Sequence, residues 1–125
     1  MSGSSERKTY PRSARLLRSG EFERVYREGR RRSSKQFVVF ARAAAAGPEG
    51  SRASRFGWSV KRALGGAVVR NRIRRRVREI VRLHRSELPA GWDVVIHPRA
   101  TVAKAEFVAL GEELVALIRN AMKSS

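Results

Sequence analysis

The segment Ala67-Val-Val-Arg70-Asn71-Arg72-Ile73-Arg74-Arg75-Arg76-Val77-Arg78-Glu79-Ile80-Val81-Arg82-Leu83-His84-Arg85 decides how the rest of the chain is read. Val69, Ile73, Val77, Ile80, Val81 and His84 recur at helical spacing and form one stripe, the mark of an amphipathic helix with one face on a core. Arg74, Arg78 and Arg85 fall on one flank of the stripe, Arg72 and Arg76 on the other, and Arg75 and Arg82 point directly away. Eight arginines lie between Arg70 and Arg85, against one acid, Glu79. Arg70, Arg74, Arg78 and Arg82 make an i, i+4 ladder of like charge, which destabilises an isolated helix. Such a ladder makes sense where a polyanion neutralises it. Gly65-Gly66 is a backbone-permissive entrance to this helix, with N–H groups that could meet a phosphate. No Lys-Ser/Thr pair follows it, so it is not a P-loop.

Outward from the helix, Arg55–Lys61 alternates cleanly, with Phe56, Trp58 and Val60 on one face and Arg55, Gly57, Ser59 and Lys61, small or basic, on the other. Lys35–Ala43 reads as a second strand, Phe37, Val39 and Ala41 opposing Val38 and Phe40. Between them, residues 44–52 hold Gly47-Pro48 and Gly50-Ser51, a loop of turn formers. Ser19 is placed to cap a short helix running to Glu28 and ending at Gly29, with Phe22, Val25 and Tyr26 on one face. Arg30–Ser34 reads as a basic loop. Residues 1–12 lack periodicity and read as a flexible basic extension, leaving one domain over 13–122. Downstream, Leu88–Gly91 is a turn, and Trp92–His97 is a nearly continuous apolar strand, central or covered on both faces, ended by Pro98. Thr101 is placed to cap a last helix to Met122, with Ala103, Phe107, Leu110, Leu114, Leu117 and Ala121 on its core face. The order helix, strand, strand, helix, strand, helix predicts a small α/β sandwich.

Charge narrows the partners. The 125 residues carry 28 basic and 11 acidic side chains, net +17, and 23 of the basic ones are Arg. The excess is uneven: residues 1–85 carry +18 and residues 86–125 carry −1. An Arg-rich codon bias would explain Arg over Lys, but not that concentration. It points to a nucleic acid, since the guanidinium fork grips phosphate and stacks on bases. A membrane surface is a poor second, because no basic helix carries an aromatic insertion face. Without cysteine there is no disulfide framework and no Cys-ligated zinc. With no apolar run long enough to span a bilayer and no leader-like h-region, the expectation is a soluble cytoplasmic domain with no membrane partner.

The residue types of a protein nuclease are scattered. Glu112-Glu113 is the only adjacent acidic pair and falls on an outer helix, where a solvated face is the simpler reading. His84 lies on the apolar stripe and His97 at a strand end; a catalytic pairing of the two is the minor alternative to packed histidines. Single-strand recognition needs aromatic platforms and a cationic clamp. Phe22, Tyr26 and Phe40 are either such platforms or core. Gly57, Ser59 and Lys61 would give a shallow basic floor, with Val38 and Phe40 beside it.

The stretch Ala67-Val-Val-Arg70-Asn71-Arg72-Ile73-Arg74-Arg75 resembles the Arg-Asn-Arg motif of the bacterial ribonuclease P protein family. The likeness extends to Arg15-Leu16, Phe22, Val25-Tyr26, Gly29 and Gln36–Phe40. It also takes in Gly57-x-Ser59-Val60, Gly65-x-Ala67-Val68 and Asp93–Ile96, and covers roughly Arg12 to Arg119. The resemblance implies an α/β fold with a four-stranded sheet, a left-handed βαβ crossover and a likeness to a ribosomal protein domain. A fourth short strand is then expected within 35–52. It implies a subunit of an endoribonuclease in which a large ribonuclease P RNA with bound Mg2+ removes the 5′ leader of precursor tRNA. The protein itself would bind no cofactor and supply no catalytic residue; whether it has a protein partner is left open. Carried over by position, Phe22, Tyr26, Val38 and Phe40 would line a leader groove, with Ser59, Lys61 and Arg62 on its floor and rim. Arg70, Asn71, Arg72, Arg74, Arg75 and Arg78 would face the catalytic RNA and the leader near the cleavage site. Departures from the family pattern fall at Lys61, usually small, at Ala63, often Lys, at Tyr26, often Phe, and at Trp58, usually aliphatic. The Ala63 departure puts a backbone contact there in doubt.

Two other readings compete. One is a structural ribosomal-RNA binder with a related fold. The other is a DNA-binding module with the Arg-rich helix in a major groove, which would want a helix-turn-helix partner or a dimer seam that Gly65-Gly66 after a strand does not supply.

Overall fold

The computed structural model describes residues 17–44 and 53–123. The expected extension at 1–12 and the loop at 45–52 lie outside them. Four strands form one mixed sheet: β1 (Arg30–Ser33), β2 (Phe37–Ala43), β3 (Arg55–Trp58) and β4 (Trp92–Pro98). Their order is β1-β2-β4-β3. β1 pairs β2 and β2 pairs β4 antiparallel, while β3 and β4 run parallel. The described residues also form three α-helices, α1 (Ser19–Glu28), α2 (Ala67–His84) and α3 (Phe107–Met122). Helix α2 is the crossover between β3 and β4.

The main core lies between the sheet and the layer of α2 and α3. Phe37 and Val39 of β2, Phe56 of β3, and Val94 and Ile96 of β4 meet Ile73, Val77 and Ile80 of α2 and Leu110, Leu114 and Ile118 of α3 there. Helix α1 lies on the opposite face, where Val25 and Leu17 close over Val95. Thus Val94, Val95 and Ile96 are all fully buried, which is why β4 reads as a continuous apolar run.

Four expectations need correcting. The fourth strand of the sheet, expected within 35–52, is Arg30–Ser33, read as a loop. This strand has no apolar residue of its own: Arg32 donates to Asn120 Oδ1 at 2.8 Å and Arg30 to the Lys123 carbonyl, so α3 holds it through polar bonds. The N-cap of α1 is Arg18, not Ser19, because the Glu21 carboxylate reaches back to the Arg18 N–H at 2.8 Å. Helix α3 starts at Phe107. The Glu106 carboxylate caps it, accepting from the N–H groups of Val108 (3.0 Å) and Ala109 (2.9 Å). Thr101 sits instead in a separate 3₁₀ turn, Ala100–Ala103. Val69 is 37% exposed rather than packed, lying over Gly65 before the buried part of the stripe begins.

Glycine 57 shows why this sheet face admits α1. A Cβ there would stand 2.6 Å from Phe22 Cε1 and 3.2 Å from Leu17 Cβ. Gly57→Ala is expected to push the Phe22 ring off the sheet and cost about 1–2 kcal/mol. Urea unfolding should show a lower midpoint, and adding Phe22→Ala should then cost almost nothing more. Equal, additive losses would show that the ring and the glycine do not meet.

Candidate nucleic-acid interface

Helix α1 crosses the sheet at the level of Val95 and Gly57. Beyond it the same face stays open as a cleft of about 550 Å³. Strand alternation supplies the floor. Val38 and Phe40 are the β2 residues turned away from the main core. His97, opposite Val38 in the register, is the β4 residue that follows Val95 on this face. Tyr26 comes from α1, Ser59 and Lys61 from the chain leaving β3, and Arg31, opposite Phe40, from β1. Leu64, Pro98 and Arg99 complete the lining.

Three rings interlock in the cleft. The Tyr26 ring meets Phe40 edge-on with centroids 4.9 Å apart, and His97 lies 5.5 Å from Tyr26 and 5.7 Å from Phe40. The Tyr26 hydroxyl and His97 Nε2 are 2.8 Å apart. Burial, with a smaller push from Glu23, raises the Tyr26 phenol above its ordinary range. Burial, then the Lys61 charge, lowers His97. Both shifts favour the uncharged forms of the two groups, and the sense of the bond between them follows the imidazole tautomer. Arg31, Lys61 and Arg99 surround this aromatic floor with three cations.

The turn Arg62–Leu64 leads from the cleft to Gly65, whose φ of 146° suits a glycine, and into α2 at Ala67. The basic helix is thus joined to the cleft by a few residues. Its arginines divide into two groups. Arg72 donates to the Ala103 carbonyl at 2.7 Å, and Arg76 to the Ala105 carbonyl at 2.5 Å with its guanidinium 5.6 Å from the Phe107 ring. These two hold α2 against the segment before α3. Arg70 closes back on the Gly65 carbonyl at 3.0 Å, and Arg74 donates to Asn71 Oδ1 at 2.7 Å. Arg75 and Arg78 are exposed.

Of the thirteen residues singled out from sequence, Tyr26, Val38, Phe40, Ser59 and Lys61 meet in the cleft. Phe22 does not line it; it covers Gly57, 6.3 Å from Tyr26. Arg62 is exposed on the turn beside it. Sequence reading did not place His97, Arg31, Leu64, Pro98 or Arg99 there. For His97 the signal was available: it falls two residues after Val95, on the face away from Val94 and Ile96. Arg31 had none, since its strand was not recognised. The two histidines are not brought together: His84 Nδ1 lies 2.8 Å from Glu87 and its ring packs by Gly111 of α3. Glu113 accepts from the Gln36 N–H at 2.7 Å and from the Ser34 hydroxyl. Among the described residues no three His, Asp or Glu side chains form a metal-binding group.

The Ribonuclease P family model matches residues 10–122. The chain is 37% identical over 110 residues to the ribonuclease P protein component of Brevibacillus brevis, covering 88% of this chain and 84% of that one. It is 40% identical over 112 residues to that of Desulfovibrio desulfuricans, with the same coverage. Among solved structures, the RNase P protein of Thermotoga maritima superposes with a TM-score of 0.74 at 31% identity, over 86% of this chain and 98% of that one. An RNase P protein of Staphylococcus aureus gives 0.70 at 27%, over 86% and 94%. With its sheet order, its cleft and its Arg70-Asn71-Arg72 helix in place, this chain belongs to the ribonuclease P protein family.

Proposed function

We propose that this chain is the protein subunit of a ribonuclease P holoenzyme, an endoribonuclease that releases the 5′ leader of precursor tRNA in the cytoplasm. The observation that carries this reading is an aromatic cleft with a cationic rim, joined by one short turn to an arginine helix. A single strand can lie in the first while a structured RNA meets the second. Tyr26 and Phe40 offer stacking edges and faces. Lys61, Arg31 and Arg99 offer phosphate partners. Arg70, Asn71, Arg74, Arg75 and Arg78 face the catalytic RNA, with Arg72 shared between that role and holding the fold.

In this reading the Mg2+ ions belong to the RNA, which carries the hydrolysis, and the chain contributes binding and orientation. No helix among the described residues is long and apolar enough to cross a membrane.

The test is cleavage of precursor tRNA by a bacterial ribonuclease P RNA at low Mg2+, with and without the protein. Protein-dependent cleavage at the mature 5′ end is expected. A folded protein that binds RNA yet leaves cleavage unchanged would return the chain to a structural RNA-binding role. Phe40→Ala should weaken precursor binding by about 5- to 150-fold, the worth of one stacked base at 1–3 kcal/mol. Mature tRNA, which lacks the leader, should bind the variant and the parent alike; an equal loss on both would remove Phe40 from leader recognition.

A further inference from the structure

The cleft contains a titratable group that a stacking-and-phosphate site does not need. His97 stands beside both Tyr26 and Phe40, and its Nε2 is 2.8 Å from the Tyr26 hydroxyl. We propose that His97 is a positioning residue whose proton state sets how firmly the cleft holds an anionic single strand. The inference rests on the cleft being a strand-binding site, as argued above.

The geometry gives the mechanism. In the neutral imidazole that carries its proton on Nδ1, the Tyr26 O–H donates to Nε2, and the hydroxyl hydrogen is committed to that bond. When His97 takes a proton from solvent, Nε2–H becomes the donor and the Tyr26 oxygen the acceptor. The two rings need not move, because the bond reverses its sense at the same separation. Two things change for a ligand. The Tyr26 hydroxyl hydrogen is released toward the cleft, and a fourth positive charge joins Arg31, Lys61 and Arg99.

Every element around the ring bears on this titration. Helix α1 brings Tyr26, with Glu23 the acid acting on it; β2 brings uncharged Val38 and Phe40. The segment after β3 brings Lys61, and β1 and the residue after Pro98 bring Arg31 and Arg99. Among the described residues no acid lines the cleft. Burial and Lys61 therefore hold the free imidazole below its ordinary range. A phosphate in the cleft offsets Lys61 and favours the imidazolium. By linkage, the ligand must raise the His97 pKa, and lower pH must tighten the ligand.

The experiment measures binding of a uridine octanucleotide to the full chain at constant ionic strength, from about pH 8 to about pH 5.5. Affinity is expected to rise about three- to tenfold on acidification, because each unit by which the ligand lifts the pKa is worth tenfold. His97→Gln keeps an amide for the Tyr26 hydroxyl but cannot titrate, so its binding should be flat over the same range. A merely structural His97 would lower affinity equally at every pH. In the parent protein, the His97 imidazole resonances give the same answer without a substitution: their pKa must rise when the octanucleotide is added. An unchanged pKa, or a His97→Gln variant that keeps the pH slope, overturns the proposal. Precursor and mature tRNA compared at one pH test the leader assignment separately. If they bind equally, that assignment falls, while the octanucleotide still decides the role of His97.

Discussion

Asp93→Ala is expected to lower the unfolding free energy by about 2–4 kcal/mol, the largest loss from any single substitution considered. The Asp93 carboxylate is 5% exposed at the start of β4. Arg55 of β3 grips it with Nε and Nη2 at 3.0 and 3.1 Å, and Arg42 of β2 approaches at 3.4 Å. The same two arginines reach α1, Arg55 to Glu21 at 3.0 Å and Arg42 to Glu28 at 2.8 Å. One buried carboxylate therefore ties three strands together and, through them, both ends of α1. Stranding a buried charge costs about 3–5 kcal/mol. Here Arg55 and Arg42 keep Glu21 and Glu28 and are partly exposed, which brings the figure down. Glu28→Gln, at the exposed end of the network, should cost little. Urea denaturation of the variants checks the ranking; an Asp93→Ala protein as stable as its parent would mean that the network contributes nothing net. Its unfolding should also begin at α1, seen as early loss of amide protection in residues 19–28.

Replacing Arg74, Arg75 and Arg78 together by alanine should reduce RNA affinity by about 10²-fold at about 0.15 M salt. Each phosphate contact contributes roughly 0.7–0.9 to the slope of log affinity against log salt, so the slope should flatten by about 2–3. Arg74 bonds within α2, to Asn71 Oδ1, and Arg75 and Arg78 are exposed. Removing Arg74 and Arg78 also breaks the repulsive ladder, so thermal stability should hold or rise slightly. Arg72→Ala should behave differently, losing stability along with affinity because its bond to Ala103 fastens the helix. If the triple variant keeps the parent's salt slope, the RNA does not run along this face.

What the sequence could reveal depended on what each residue packs against. Strands β2 and β4 and helix α2 were legible because their own side chains face the core, so burial writes its period into the chain. Strand β1 was not: Arg-Arg-Arg-Ser borrows its partners from β2 and from the end of α3. The starts of α1 and α3 slipped because a side chain three residues inside (Glu21) or a glutamate (Glu106) does the capping, whereas Ser19 and Thr101 looked better suited. The same distinction runs through the site. Residues on recognised strands, such as Phe40 and Ser59, could be assigned to one face. Arg31 could not, and Phe22, with the right composition for a stacking ring, is taken up by the contact that Gly57 makes possible.

The open half of the sheet has a consequence for the apo protein. A seven-residue strand is about 23 Å long, and a helix laid across it covers only about 10–12 Å. Helix α1 therefore completes one part of its layer, and Val38, Phe40 and His97 reach past it into the open cleft, with the Tyr26 ring at the boundary. In the proposed role, a strand of RNA seated there would act as the missing element of secondary structure. Folding and binding would then share one free energy, and the protein would be most stable when in use.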